Sequence, residues 1–136
     1  MALSSVGGGY QFGDGNLSEA VIQTVPAPAT ATATATLTAA QITNGILLGS
    51  PGSSAAAYTL PTCAVLDAAL ANAKVGSSFD FSVLNVDGSG SGVITMTTNT
   101  GWTLVGLMTI VATAGTAQVF RARKTGDAAW SLYRFA

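Results

Sequence analysis

The acids Asp80, Asp87 and Asp127 are the side chains here whose type could do chemistry as a set: two of them could form the carboxylate pair of a glycoside hydrolase. The local sequence argues against it. Asp87 and Asp127 each sit beside a glycine, where an acid ordinarily hydrogen-bonds turn backbone. Asp80 alternates with apolar neighbours, which makes it a cross-strand partner for an arginine. Calcium held by acids this scattered is a weak reading too. The run Gly88-Ser89-Gly90-Ser91-Gly92 invites a phosphate-loop reading, but that motif needs a helix N-terminus after it. The next residues, Val93-Ile94-Thr95-Met96-Thr97, read as a strand, and no Lys or Arg is adjacent, so a hairpin loop is expected. The chain has no histidine, which removes Ser-His-Asp and Cys-His chemistry, a histidine base and histidine-ligated metals. A single cysteine, Cys63, leaves no internal disulfide and no cysteine-based zinc site. No catalytic activity and no cofactor are expected. Trp102 reads as a sandwich-core residue or as a platform for stacking a sugar.

Charge is the next constraint. Only 8% of the 136 residues are charged, against about 25% in ordinary domains. A folded chain of this mass exposes about 6,500 Å², or about 600 Å² for each of its charges. At a net charge of -1 such a skin suits a lone soluble molecule poorly. Thr, Ser, Asn and Gly can wet part of it, and burial against copies of the chain or a partner can remove the rest. The charges are also segregated. Residues 1–115 hold five acids against Lys74, whereas Arg121, Arg123, Lys124 and Arg134 face only Asp127 in residues 116–136. With five cations in all, nucleic-acid binding would be weak. Two readings of the basic end stand: head-to-tail matching with a neighbour, and intrachain pairing of Asp80 with Arg121 or Arg123. The run Trp130–Phe135 is apolar on both faces, Trp130 and Leu132 on one, Tyr133 and Phe135 on the other. That predicts a central strand or one facing both a core and an interface, with Tyr133, Phe135, Arg121 and Arg123 as candidate contacts between subunits.

The elements that must position these residues divide the chain in two. Residues 1–36 carry Gly7-Gly8-Gly9, Val25-Pro26-Ala27-Pro28 and an Ala-Thr repeat from Ala29 to Thr36. The prolines forbid helix, and the repeat suits extended backbone that buries little. A solvated linker and an arm ordered against a neighbour both fit, and Tyr10, Phe12, Leu17, Val21 and Ile22 favour the arm as anchors. Residues 37–136 read as short strands punctuated by Asn44-Gly45, Pro51-Gly52, Asp87-Gly88 and Gly126-Asp127, which predicts an all-β sandwich or barrel. Phe79, Phe81 and Val83 alternate with Asp80 and Ser82, so one face is core and the other wet. One short helix is expected over Thr62 to Ala73, capped by Thr62, with Asp67 on its wet side. The most apolar stretch, Leu104 to Ala114, is too short to span a membrane as a helix. The opening residues lack the basic and apolar regions of a secretory leader, so Cys63 is expected to stay reduced.

The order of segments carries a resemblance over residues 37–136. Thr59-Leu60-Pro61 precedes the helix and Val75-Gly76-Ser77-Ser78-Phe79-Asp80-Phe81-Ser82-Val83 comes after it. Then come Gly101-Trp102-Thr103, Phe120-Arg121-Ala122-Arg123-Lys124-Thr125-Gly126 and Leu132-Tyr133-Arg134. This resembles the capsid decoration (cement) proteins of tailed bacteriophages. The resemblance implies a jelly-roll-like β-sandwich with an extended N-terminal arm, a homotrimer on the outside of the virion capsid, and the major capsid protein as partner. Such a protein is made in the host cytoplasm and takes no cofactor, nucleic acid or membrane. The alternative is a tail-fibre or receptor-binding tip that recognises surface glycans through Trp102 and loop acids, although no fibre shaft is in this sequence.

Overall fold

Alternating apolar residues build the strands, and the computed structural model, which describes residues 24–87, 91–113 and 115–136, shows how they are joined. In chain order the elements are β1 (Ala29–Ala31), β2 (Ala35–Thr36), α1 (Ala39–Thr43), β3 (Ile46–Gly49), β4 (Ala56–Thr59) and α2 (Cys63–Ala69). Then come β5 (Ser78–Asn85), β6 (Ile94–Thr97), β7 (Trp102–Val105), β8 (Thr109–Ile110), β9 (Thr116–Gly126) and β10 (Ala129–Arg134). They form a six-stranded sheet, β1-β3-β5-β9-β10-β7, and a four-stranded sheet, β2-β4-β6-β8. Leu47, Phe81, Val83, Phe120 and Leu132 of the first sheet pack with Tyr58, Ile94, Met96 and Ile110 of the second in one buried cluster. The fold is a mostly β sandwich, as the strand spacing predicts.

Its connectivity departs from a jelly roll. Up to β6 successive strands alternate between the two sheets, so the chain winds as a coil. Its turns stack in parallel, β1 on β3 on β5 in one sheet and β2 on β4 on β6 in the other. A jelly roll is built from antiparallel Greek keys. Here antiparallel pairing enters with β8 on β6, β9 on β5 and β10 on β9, while β7 lies parallel to β10. Parallel neighbours cannot be joined by a hairpin. After β2 and β4 the chain returns through helices, each started by a threonine cap. Thr38 accepts from the Gln41 N–H and the Gln41 side chain accepts from the Thr38 N–H, a complete capping box. Thr62 accepts from the Val65 N–H.

Two expectations about elements are corrected. Among the described residues there are two helices where one is expected, and α2 stops at Ala69, with Leu70 leaving helical geometry and the Ala73 N–H bonding back to the Leu70 carbonyl. The Ala-Thr repeat, expected as part of the arm, supplies β1 and β2 of the sandwich itself. Ala31 is buried opposite Gly49, the Tyr58 hydroxyl donates to the Ala31 and Thr32 carbonyls, and Thr34 accepts from the Ala57 N–H. Small side chains fit because Tyr58 fills the space beneath them. Gly49 is part of that fit, since a methyl there would collide with Ile94 Cδ1 and press on the Tyr58 ring.

Candidate interaction surface

The outer face of the six-stranded sheet brings the four predicted contact residues together. Along β9, buried Phe120 and Ala122 alternate with Val119, Arg121 and Arg123, and along β10, buried Trp130 and Leu132 alternate with Ser131 and Tyr133. The registers place Tyr133 opposite Arg121, and Arg121 opposite Asp80 of β5. Arg121 donates from Nε to Asp80 Oδ1 at 2.7 Å and from Nη2 to Oδ2 at 2.9 Å, a fork-to-fork pair. Of the two intrachain pairings weighed for Asp80, this is the one that forms. The Arg121 hydrogen bonds hold the Asp80 carboxyl below the usual carboxylate range, partly opposed by desolvation. Phe135 continues the line of β10 by bonding through its N–H to the Val119 carbonyl, and its ring lies 4.2 Å from the Arg121 guanidinium carbon. Arg123, between Ser78 and Ser131, is exposed.

Around this charge pair the face mixes hydroxyls, from Ser78, Ser82, Thr103 and Ser131, with more apolar side chains than a wet face needs. Ile46 and Leu48 of β3 and Leu84 of β5 point outward with Val119, Tyr133 and, on β7, Val105. Ile46 is 39% exposed, Val105 45% and Phe135 56%. The signal for these extra residues is adjacent apolar pairs within strands, Leu47-Leu48, Val83-Leu84 and Val119-Phe120. Such pairs put an apolar side chain on each face, as in strands covered on both sides.

The other candidates are placed elsewhere. Trp102 is buried and its indole N–H donates to the Pro61 carbonyl at 2.7 Å, so it offers no open ring for a sugar. Its neighbour Gly101 has a φ of +95°, and a side chain there would strike the Ala128 carbonyl and Cys63. Asp127 lies exposed in the turn after β9. No group of three or more Cys, Asp or Glu side chains among the described residues is arranged to hold a metal ion. No helix among them is long and apolar enough to cross a membrane. The expected arm anchors Tyr10, Phe12, Leu17, Val21 and Ile22 lie outside the described residues.

Asp67 is not on a wet face. It accepts from Trp130 Nε1 at 2.8 Å and from the Ala128 N–H at 2.7 Å, and it pairs with Lys124 Nζ at 3.0 Å. The Trp130 hydrogen bond is the largest influence holding its carboxyl below the usual range, with the Ala128 and Lys124 contacts adding to it against desolvation. Lys124 is therefore an internal cation, 8% exposed, and not part of a basic stripe. Cys63 is fully buried, and desolvation pushes its thiol up to about 11.

No family model matches this chain, and no curated protein or solved structure matches it either.

Proposed function

We propose that this is a non-enzymatic structural protein that associates with copies of itself through the outer face of the six-stranded sheet, and that it decorates and cements the capsid of a tailed bacteriophage. One observation carries the self-association: Tyr133, Phe135, Arg121 and Arg123 converge on a sheet face that also presents Ile46, Leu48, Leu84, Val119 and Val105, interspersed with the hydroxyls of Ser78, Ser82, Thr103 and Ser131. The sheet is mixed, and outward apolar side chains on its parallel pairs β3–β5 and β7–β10 suit a face that is covered. A second copy fits the chemistry. Asp80 and Arg121 neutralise each other within the face, so two such faces meet without like charges at their centre. The scarcity of charge over the whole chain points the same way.

The capsid assignment, the trimer and the major capsid protein as partner rest on the segment order that resembles decoration proteins. In that reading each subunit hides its apolar sheet face against its mates on the capsid exterior, and the segment before β1 reaches across capsid subunits with Phe12, Val21 and Ile22 as anchors. Three tethered arms bind together at high effective concentration, which turns modest contacts into a firm clamp. The glycan-binding tip is not favoured by Trp102, whose ring and N–H are both occupied.

The test is the mass of the protein in solution, alone and with empty capsids. An oligomer, a trimer in the capsid reading, is expected to fall apart on Tyr133→Glu, and deletion of residues 1–23 is expected to weaken capsid loading with the oligomer intact. The deletion stops there because removing residues 1–36 would also take away β1 and β2. A persistent monomer at high concentration overturns the self-association, and undiminished loading of the shortened chain overturns the arm.

A further inference from the structure

A cavity of about 410 Å³ opens beside the end of α2. Thr43 of α1, Leu70 and Asn72 after α2, Ser78 and Phe79 at the start of β5, and Trp130 of β10 line it. Phe79 sits where the inner face of β5 runs past the end of α2, so its ring is half-buried. It is held edge-on by Trp130 at 5.8 Å and tilted against Phe81 at 6.1 Å. The indole N–H of Trp130 is taken by Asp67, so Trp130 gives the cavity only an apolar wall. The rim is polar: the Asn72 side chain is committed to no other described residue, and the Thr43 hydroxyl donates to the Ala39 carbonyl while keeping its lone pairs. No Asp, Glu, Lys or Arg lines the cavity.

We propose that this cavity is a binding site for a neutral saccharide unit, its C–H face against the Phe79 ring and its hydroxyls on Asn72 and Thr43. The volume falls within the roughly 300–1,000 Å³ of small-ligand pockets, which pair an apolar lining with a few convergent polar groups. An aromatic ring set beside an amide and a hydroxyl matches a pyranose, which has an apolar face and a polar perimeter. A phosphate or carboxylate ligand would find no cation to meet it, and a wholly apolar ligand would leave the Asn72 amide covered and unpaired.

The experiment is an amide-shift titration of the isotope-labelled full-length protein. The probes are methyl glycosides of glucose, galactose, mannose and N-acetylglucosamine, with glucose 6-phosphate and benzyl alcohol as charged and apolar controls. At least one neutral glycoside is expected to give saturable shifts confined to residues 43 and 69–79 at millimolar concentration. Asn72→Ala is expected to weaken that binding about fivefold, the equivalent of one lost hydrogen bond, without moving the melting temperature. Asn72 is exposed, so this variant does not disturb the core. The proposal is overturned if no glycoside gives saturable shifts there, if glucose 6-phosphate binds more tightly than methyl glucoside, or if benzyl alcohol binds as well as any glycoside.

Discussion

The carboxylate of Asp67 takes the indole proton of Trp130 at 2.8 Å, tying the surface of a short helix to the largest buried side chain of the sandwich. The same carboxylate holds the Ala128 N–H, in a turn where Ala128 has a φ of +48°, and neutralises Lys124. One side chain thus locks α2 onto the β9–β10 hairpin.

Asp67→Ala should therefore cost about 2–3 kcal/mol, since it strands a largely buried ammonium and an indole N–H. Urea unfolding is the measure, read as a lower midpoint at unchanged slope. The Asp67 carboxyl is held below its ordinary range in the folded state, so its stabilisation is present above the unfolded carboxylate range near pH 4 and is lost as the pH falls further. Asp67→Asn should flatten that acid-side decline relative to the parent chain, and an unchanged acid profile would show that the carboxylate is not ionised in the fold.

Phe135→Ala removes both an exposed anchor and the ring beneath Arg121. Self-association should weaken by about tenfold or more if this pair lies at the centre of the contact. Sedimentation at graded concentrations reads the change, and the thermal unfolding of the separated subunit should hardly move because Phe135 contributes little to the core.

Gly49→Ala should destabilise by about 1–3 kcal/mol, as overpacking against Ile94 and Tyr58 demands. Ile94→Val deletes the methyl that the new side chain would strike. The double variant should be more stable than the two single effects predict, and strict additivity would place the clash elsewhere.

Cys63 should resist thiol reagents at pH 8 in the native protein and react at the rate of a free thiol in denaturant. Its complete burial and its thiol at about 11 both suppress the thiolate. Rapid native labelling would mean that the start of α2 opens readily.

The strands around Phe81, Phe120 and Trp130 are legible in the sequence because their alternation carries large side chains, and the same period turns Arg121, Arg123 and Tyr133 away from the core. Which arginine pairs with Asp80 is a matter of register, which that period leaves open. Four things are hidden. The Ala-Thr repeat looks too small to hold a strand, since the side chain that holds it, Tyr58, is more than twenty residues away. Helix α1 is short, and its one sequence mark is the Thr38–Gln41 box. The role of Asp67 depends on partners some sixty residues downstream, which helical periodicity cannot register. Parallel winding escapes notice for a similar cause: alternation reports which face is inward and says nothing of strand direction.

That winding also sets an order of events at the ribosome. The early coils present the inner surfaces of β3 and β5 long before β9 and β10 exist to supply Phe120, Trp130 and Leu132. Until those two strands emerge, a nascent chain with almost no charge carries an unfinished interior, and non-local pairing of this kind closes slowly. Yield should thus depend on translation speed and chaperone supply more steeply than the stability of the finished sandwich would suggest.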